Sequence, residues 1–399
     1  MPSRNCAHAT LVGLAAALGA ASGCGGSDSS GGMTTGPSTS GVVFQSIYTG
    51  DHHTCALTAS GVAYCWGRND GGQTGTGNLG SGAFILTPAP VVGTLRFSTL
   101  TMPSVGSNTC GLTTAGASYC WGYNSNGETG DGTTALHFTP APTSGGNTYQ
   151  ALAMGNFHTC GLTGAGTIYC WGHNQYGGLG DGGTTPHLTP TLAAAAAGKT
   201  WKSISAGYED TCALTTTGDA YCWGHGLYGE LGIAGTPTSV LAPGAFSGGH
   251  TFKSLSAGYQ FTCGLTTSNA AYCWGNNQGG EMGDGTTTQR NTPVAVTGGL
   301  TFQSISAGGS HACGLTAAGT AYCWGYNASG ALGDGTFTDH ASPHLVSGGL
   351  TFRTVSAGNG TTCGIDTGGV AYCWGSNVAG ELGDGTSTYK LTPNKVQIP

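Results

Sequence analysis

A chain of 399 residues with 17 acidic and 10 basic side chains carries a net charge of −7, which argues against binding to DNA or RNA by phosphate neutralisation. With 77 glycines and only 7% charged residues it would read as disordered if it lacked periodicity. Instead it is strongly periodic, as a repeat array is.

Residues 1–23 read as a bacterial secretion signal, with Arg4 as the only fixed charge ahead of an apolar Ala/Leu/Gly run from Ala9 to Ala21. The run is too short and too Gly-rich for a transmembrane helix. It ends in Ala21-Ser22-Gly23-Cys24, which resembles the lipobox of bacterial lipoproteins, whose cysteine becomes the lipidated first residue of the mature chain. Ala21 stands where Leu is commonest, so ordinary signal-peptidase cleavage stays open. Residues 24–41, Gly/Ser/Thr-rich, form a flexible linker. The expected location is extracytoplasmic, either secreted or held at the outer membrane or cell surface by lipid alone.

From Val42 to Pro399 one unit recurs seven times. At its centre is a pair of cysteines: Cys55 and Cys65, Cys110 and Cys120, Cys160 and Cys170, Cys212 and Cys222, Cys263 and Cys273, Cys313 and Cys323, and Cys363 and Cys373. The second of each pair is always preceded by Tyr and followed by Trp-Gly. Within Ala312 to Trp324 apolar residues alternate with period two around a small turn at Ala318-Gly319, so the unit reads as a β-hairpin. Pairing Cys313 with Cys323 places Leu315 opposite Ala321, Gly314 opposite Tyr322 and Ala312 opposite Trp324, with the tyrosine ring expected over the bare glycine backbone. If oxidised, each pair bridges the hairpin and contributes about 2–3 kcal/mol by closing a short loop. Reduced core thiols are the alternative. Cysteine parity and the export signal favour seven disulfides, because Cys6 leaves with the signal and Cys24 carries lipid.

Around each hairpin lie a preceding strand such as Thr301–Gly308, a turn and a Pro-containing strand such as Pro343–Val346. The turn reads Gly-Asp-Gly-Thr in four copies and Gly-Asp-Gly-Gly in the third, while Thr76 and Ile233 take the aspartate position in the first and fourth. Four short strands in seven copies predict an all-β, seven-bladed propeller of four-stranded antiparallel blades. The chain opens on Phe44-Gln45-Ser46-Ile47 and ends on a lone strand, Pro393–Ile398, so the C-terminal strand is expected to complete the first blade. One blade per repeat is the alternative.

The units resemble the regulator of chromosome condensation repeat family. The matching stretches are Ser-Ala-Gly before the hairpin, G-x-x-H-(T/A)-C at Gly50–Cys55, Gly155–Cys160 and Gly308–Cys313, then Tyr-Cys-Trp-Gly and Leu-Gly-Asp-Gly-Thr. The resemblance covers residues 42–399 and implies a seven-bladed propeller. It does not specify a function, because members of the family serve in GTPase exchange, light sensing and enzyme inhibition.

Asp131, Asp181, Asp284, Asp334 and Asp384 of the Gly-Asp-Gly turns are read as caps of their own turns rather than calcium ligands. His53, His158 and His311 share one position and are read as bracing the turn they sit in. No nucleophile motif, zinc motif or phosphate loop is present, so neither a catalytic residue, a metal nor a cofactor is assigned.

The copies differ in the loop before each hairpin and in the segment after Trp-Gly, which lie at the same end of the strands. One face of the disc is therefore diversified, and aromatics on rigid loops suit recognition of a protein or glycan. The assigned contacts are Phe157, Tyr208, Glu209, Tyr259, Phe261, Tyr123, Tyr326, His173 and His225. The leading expectation is a monomeric, non-catalytic binding scaffold, an enzyme inhibitor being one concrete form. A carbohydrate-active or lectin-like envelope protein would instead need a carboxylate pair facing a groove, and Glu209-Asp210 is the only adjacent acidic pair. Guanine-nucleotide exchange rests on family analogy alone.

Overall fold

Each cysteine hairpin forms in the expected register: Ala312 faces Trp324, Cys313 faces Cys323, Gly314 faces Tyr322 and Leu315 faces Ala321. The computed structural model describes residues 41–77, 84–194, 198–235 and 237–398. The expected signal segment 1–23, the expected lipidation site Cys24 and the expected linker up to residue 40 lie outside the described residues. Seven disulfides staple the hairpins, and the pairing is the expected one throughout. Cys55 is bonded to Cys65, Cys110 to Cys120, Cys160 to Cys170 and Cys212 to Cys222. Cys263 is bonded to Cys273, Cys313 to Cys323 and Cys363 to Cys373. Each bridge spans ten positions with Cα atoms 4.1 Å apart, as directly opposed strand residues allow.

A strand on either side completes each blade, giving seven four-stranded antiparallel sheets with strands in chain order. In the first blade these are Phe44–Thr49, His53–Thr58, Ala63–Arg68 and Phe84–Pro90. The first strands of all seven blades surround a central cavity of about 290 Å³, lined by Thr49, Met102, Met154, Ser205, Ser256 and Ser306 among others. The outermost strands carry the prolines, where a missing N–H faces no neighbour.

The C-terminal strand does not complete the first blade. Lys390–Lys395 pairs with Ala371–Gly375 of its own repeat, so one repeat is one blade. The ring closes by lateral bonds instead. Thr49 N donates to Ser356 Oγ (3.1 Å), Trp66 Nε1 to the Glu381 carbonyl (2.7 Å) and Gly385 N to the Leu86 carbonyl (2.9 Å). The same contacts recur between neighbours. The serine of Ser-Ala-Gly accepts from the next blade's Ala N–H, as in Ser205 with Ala257, Ser256 with Ala307 and Ser306 with Ala357.

The core lies between the blades. The disulfide and leucines of one blade pack against the tryptophan and first-strand aromatic of the next, as Cys263, Cys273 and Leu265 do against Phe302 and Trp324. The seven repeat tryptophans are fully buried. Gly314 is small for a different reason than its cross-strand partner suggests: a Cβ there would stand 2.5 Å from the Phe302 ring, while Tyr322 meets Phe302 edge-on at 6.4 Å. Gly333 combines a φ of +70° with the same crowding, since its Cβ would lie 2.5 Å from Trp374 Nε1.

Candidate functional site

In six of the seven blades the loop entering the hairpin leaves the channel edge on a glycine, Met102-Pro103 standing there in blade two. Several of these loops are tied to the next blade by main-chain bonds, such as Tyr259 N to the Gly308 carbonyl and Asn156 N to the Tyr208 carbonyl, both 3.0 Å. The segments after Trp-Gly rise beside them at the same end of the strands. In blades three to five these loops bring an aromatic patch together. Tyr208 meets Tyr259 edge-on with centroids 4.8 Å apart, Phe157 at 6.0 Å and His225 at 6.2 Å. Phe157 packs on His173 at 5.9 Å, and Tyr176 and Tyr228 flank His225 at 4.8 and 6.0 Å. Phe157, Tyr176, Tyr208, Tyr228 and Tyr259 are half-buried, and Leu227 beside them is exposed.

Carboxylates lie under the rings. His173 Nδ1 stands 2.7 Å from Glu209 Oε1, and His225 Nδ1 contacts Glu230 Oε1, whose other oxygen accepts from Tyr228 N at 2.8 Å. Burial, Glu209 and the surrounding tyrosines push the Tyr208 phenol up, and burial, Tyr228 and Glu209 do the same to Tyr259. Asp210 is fully buried, and burial together with the nearby Glu230 raises its carboxyl well above the ordinary range. Glu209 and Asp210 therefore do not face one groove: one is paired with histidine and the other sits inside the blade junction.

Of the nine sequence-assigned contacts, six come together here: Phe157, Tyr208, Glu209, Tyr259, His173 and His225. Phe261 does not. It starts the second strand of blade five and is 1% exposed, packed into the core at the position that His53 and Asp210 occupy in their own blades. Tyr123 and Tyr326 border separate grooves. Tyr123 shares a cavity of about 280 Å³ with Asp51, Arg68 and Phe157. Tyr326 shares one of about 350 Å³ with Tyr259, Glu281 and Asp339. Burial, reinforced by Asp339, lifts Glu281 to about 7 against the main-chain N–H groups that favour its charge. Tyr176 and Tyr228 are missing from the assigned contacts, yet each stands three positions after a patch histidine, His173 or His225, and that shared spacing is the signal for them.

The repeated polar residues are structural. In each Gly-Asp-Gly turn one aspartate oxygen accepts a main-chain N–H two residues on, as Asp131 does from Thr133. The other oxygen meets a basic side chain six residues on: His137, His187, Arg290, His340 or Lys390. Burial alone would raise these carboxyls, but the hydrogen bonds and the neighbouring basic side chains outweigh it and hold all five below the ordinary value. The fixed spacing of Asp and base is visible in the sequence.

His53, His158 and His311 brace the next blade rather than their own turn, each with Nε2 2.8 Å from Thr109, Thr211 or Thr362 Oγ1. The threonine hydroxyl gives its proton to a carbonyl, that of Gln73, Gly178 or Ala331, so each histidine donates from Nε2. Burial keeps these rings neutral, lowering His53 to about 3 and the other two to about 4.

A family model for the RCC1-like domain matches residues 106–399, and one for the regulator of chromosome condensation (RCC1) repeat matches residues 44–73. The chain belongs to the RCC1-like propeller family. It is 31% identical to the ultraviolet-B receptor UVR8 of Arabidopsis thaliana over 60% of this chain and 54% of that protein. It is 34% identical to the mitochondrial RCC1 domain-containing protein RUG3 of the same plant, over 49% and 45%. The chain thus spans about half the length of these relatives. Among solved structures, human WBSCR16 superposes with a TM-score of 0.76 at 18% identity, covering 85% of this chain and 94% of that one. Yeast RCC1 (Prp20), in a structure with Kap60, gives 0.70 at 22% identity, covering 79% and 78%. At such identity these two likenesses speak for the fold.

Proposed function

We propose that this propeller is a non-catalytic binding scaffold that engages a protein partner through the aromatic patch of blades three to five. The observation that carries the proposal is the meeting of Phe157, Tyr208 and Tyr259 from three consecutive blades on one face. Aromatic side chains held on rigid loops give large contact area at little ordering cost. The carboxylates below are already paired with histidines, so recognition falls to ring faces, phenol hydroxyls and exposed Leu227. Solved relatives include a propeller bound to a protein, Kap60. Because Asp210 is buried and Glu209 is paired, the two cannot act as an acid and base across a sugar, which favours binding over glycan cleavage.

The seven buried disulfides favour an oxidising, extracytoplasmic home, in keeping with the signal-like residues 1–23 and the lipobox-like Ala21-Ser22-Gly23-Cys24. In that setting, inhibition of a secreted or envelope enzyme is one form the binding would take. Cross-linking and affinity capture from the producing cell's envelope and medium, identified by mass spectrometry, tests the reading. A partner should be lost at least tenfold with Tyr208→Ala/Tyr259→Ala and retained with Ala318→Asp on the opposite, repetitive face. Equal capture by all three proteins would refute it.

A further inference from the structure

We propose that the outer edge of blade six holds a divalent transition-metal ion, of the zinc class, on Asp334, His340 and His344. His340 Nε2 lies 2.9 Å and His344 Nε2 4.0 Å from the same oxygen, Asp334 Oδ2. The three donor atoms are within 4.8 Å of one another. The two imidazoles stack face to face, centroids 3.9 Å apart and planes 1° from parallel, so both rings present the same edge to the carboxylate.

The other blades show why this arrangement is particular. The aspartate and a base six residues on recur, but among the described residues His137, His187, Arg290 and Lys390 each stand as the single base on their own aspartate, while His340 has a second histidine beside it. His344 stands opposite Cys323 in the strand ladder. The residues opposite the equivalent cysteine elsewhere are Ala89, Ala141, Thr191, Gly244, Val294 and Asn394, none of them an imidazole. Asn394 proves the reach of that position, because its Nδ2 donates to Asp384 Oδ2 at 2.9 Å. A histidine there is thus placed to meet the same carboxylate oxygen.

The site also has the support that metal ligands require. Asp334 Oδ1 accepts from Thr336 N at 2.8 Å and Asn327 Nδ2 at 3.3 Å, and the Thr336 hydroxyl lies 2.9 and 3.0 Å from the two carboxylate oxygens. The Asp334 side chain is 1% exposed and fixed, His340 is 25% exposed, and His344 is 51% exposed, with room on its solvent side to turn out of the stack and close its longer distance. Two imidazoles and one carboxylate suit zinc at about 2.0–2.2 Å per ligand, with a water on the open side. Binding replaces the hydrogen bond between His340 Nε2 and Asp334 Oδ2 and ties the outermost strand to its turn.

The test uses the full chain without a polyhistidine tag, titrated with Zn²⁺ alone against a colorimetric chelator and, separately, with Co²⁺ followed in the visible spectrum. One equivalent should bind in the micromolar range or tighter, and Co²⁺ should develop ligand-field bands. His344→Ala, a change at an exposed side chain, should weaken binding at least tenfold, whereas His187→Ala in the single-histidine pair of blade three should leave it unchanged. Absence of stoichiometric binding up to 100 µM, or identical binding by His344→Ala and wild type, would overturn the assignment.

Discussion

Trp66 Nε1 donates a 2.7 Å hydrogen bond to the carbonyl oxygen of Glu381, 315 residues further along the chain. Thr54 Oγ1 donates to the same carbonyl at 2.9 Å, and Gly383 packs over the indole. With no strand shared between blades one and seven, closure rests on lateral contacts: this bond, the Thr49–Ser356 and Gly385–Leu86 bonds, and the packing of Phe44 and Trp66 against Ile365 and Leu382. Trp66→Phe keeps most of the apolar contact and removes the donor, so it should cost about 1–2 kcal/mol. Hydrogen exchange should then show blades one and seven opening first. Uniform exchange across all seven blades would contradict this.

Gly333 and Gly349 share a left-handed backbone, at φ +70° and +64°, but differ in surroundings. A Cβ on Gly333 would meet the Trp374 ring, while nothing stands within 4 Å of one on Gly349. Gly349→Ala should cost only the backbone penalty of about 1 kcal/mol. Gly333→Ala should cost at least twice that, because a fully buried tryptophan must also move. Urea unfolding of the two variants makes the comparison.

Two buried groups make stability depend on pH in opposite directions. His311 stays neutral in the folded disc down to about pH 4, whereas the unfolded chain takes up its proton near pH 6.5, so His311 withdraws stability as pH falls between those values. Glu281 keeps its proton up to about pH 7 when folded but loses it near 4.5 when unfolded, so it withdraws stability as pH rises over that window. Relative to wild type, His311→Gln should gain about 2 kcal/mol at pH 5 compared with pH 7.5, and Glu281→Gln should shift by a similar amount in the opposite sense. Thermal melts at the two pH values should cross; parallel shifts would show that neither proton is linked to folding.

The fourteen hairpin cysteines are at most 1% exposed. Reductant should therefore act only after local opening, so iodoacetamide should label few thiols in native protein under mild dithiothreitol and all fourteen hairpin cysteines after denaturation. Removing one bridge, as Cys313→Ala/Cys323→Ala, should cost about 2–3 kcal/mol for a loop of this length.

Hairpin register is legible in the sequence because Cys313, Gly314 and Leu315 alternate with period two against Cys323, Tyr322 and Ala321, and a slip of one residue would reverse every face. Blade phase is not, because Pro393 to Ile398 reads equally well as a strand completing the next sheet or its own. The direction of the His53 bond is hidden for a related reason. Its partner, Thr109, is 56 positions away and belongs to a surface that exists only once two blades stand side by side. Phe261 reads as a loop residue by its place just before the cysteine, although every residue at that position begins a strand and points inward.

Lys390–Lys395 returning to its own sheet makes the seven blades interchangeable in connectivity. A circular permutant that joins the existing ends through a linker and starts at, say, Gly349 would sever no sheet, only a link between complete sheets. By the same logic, gain or loss of a whole repeat during gene duplication leaves every remaining sheet intact and asks only that the wedge angle between neighbours adjust.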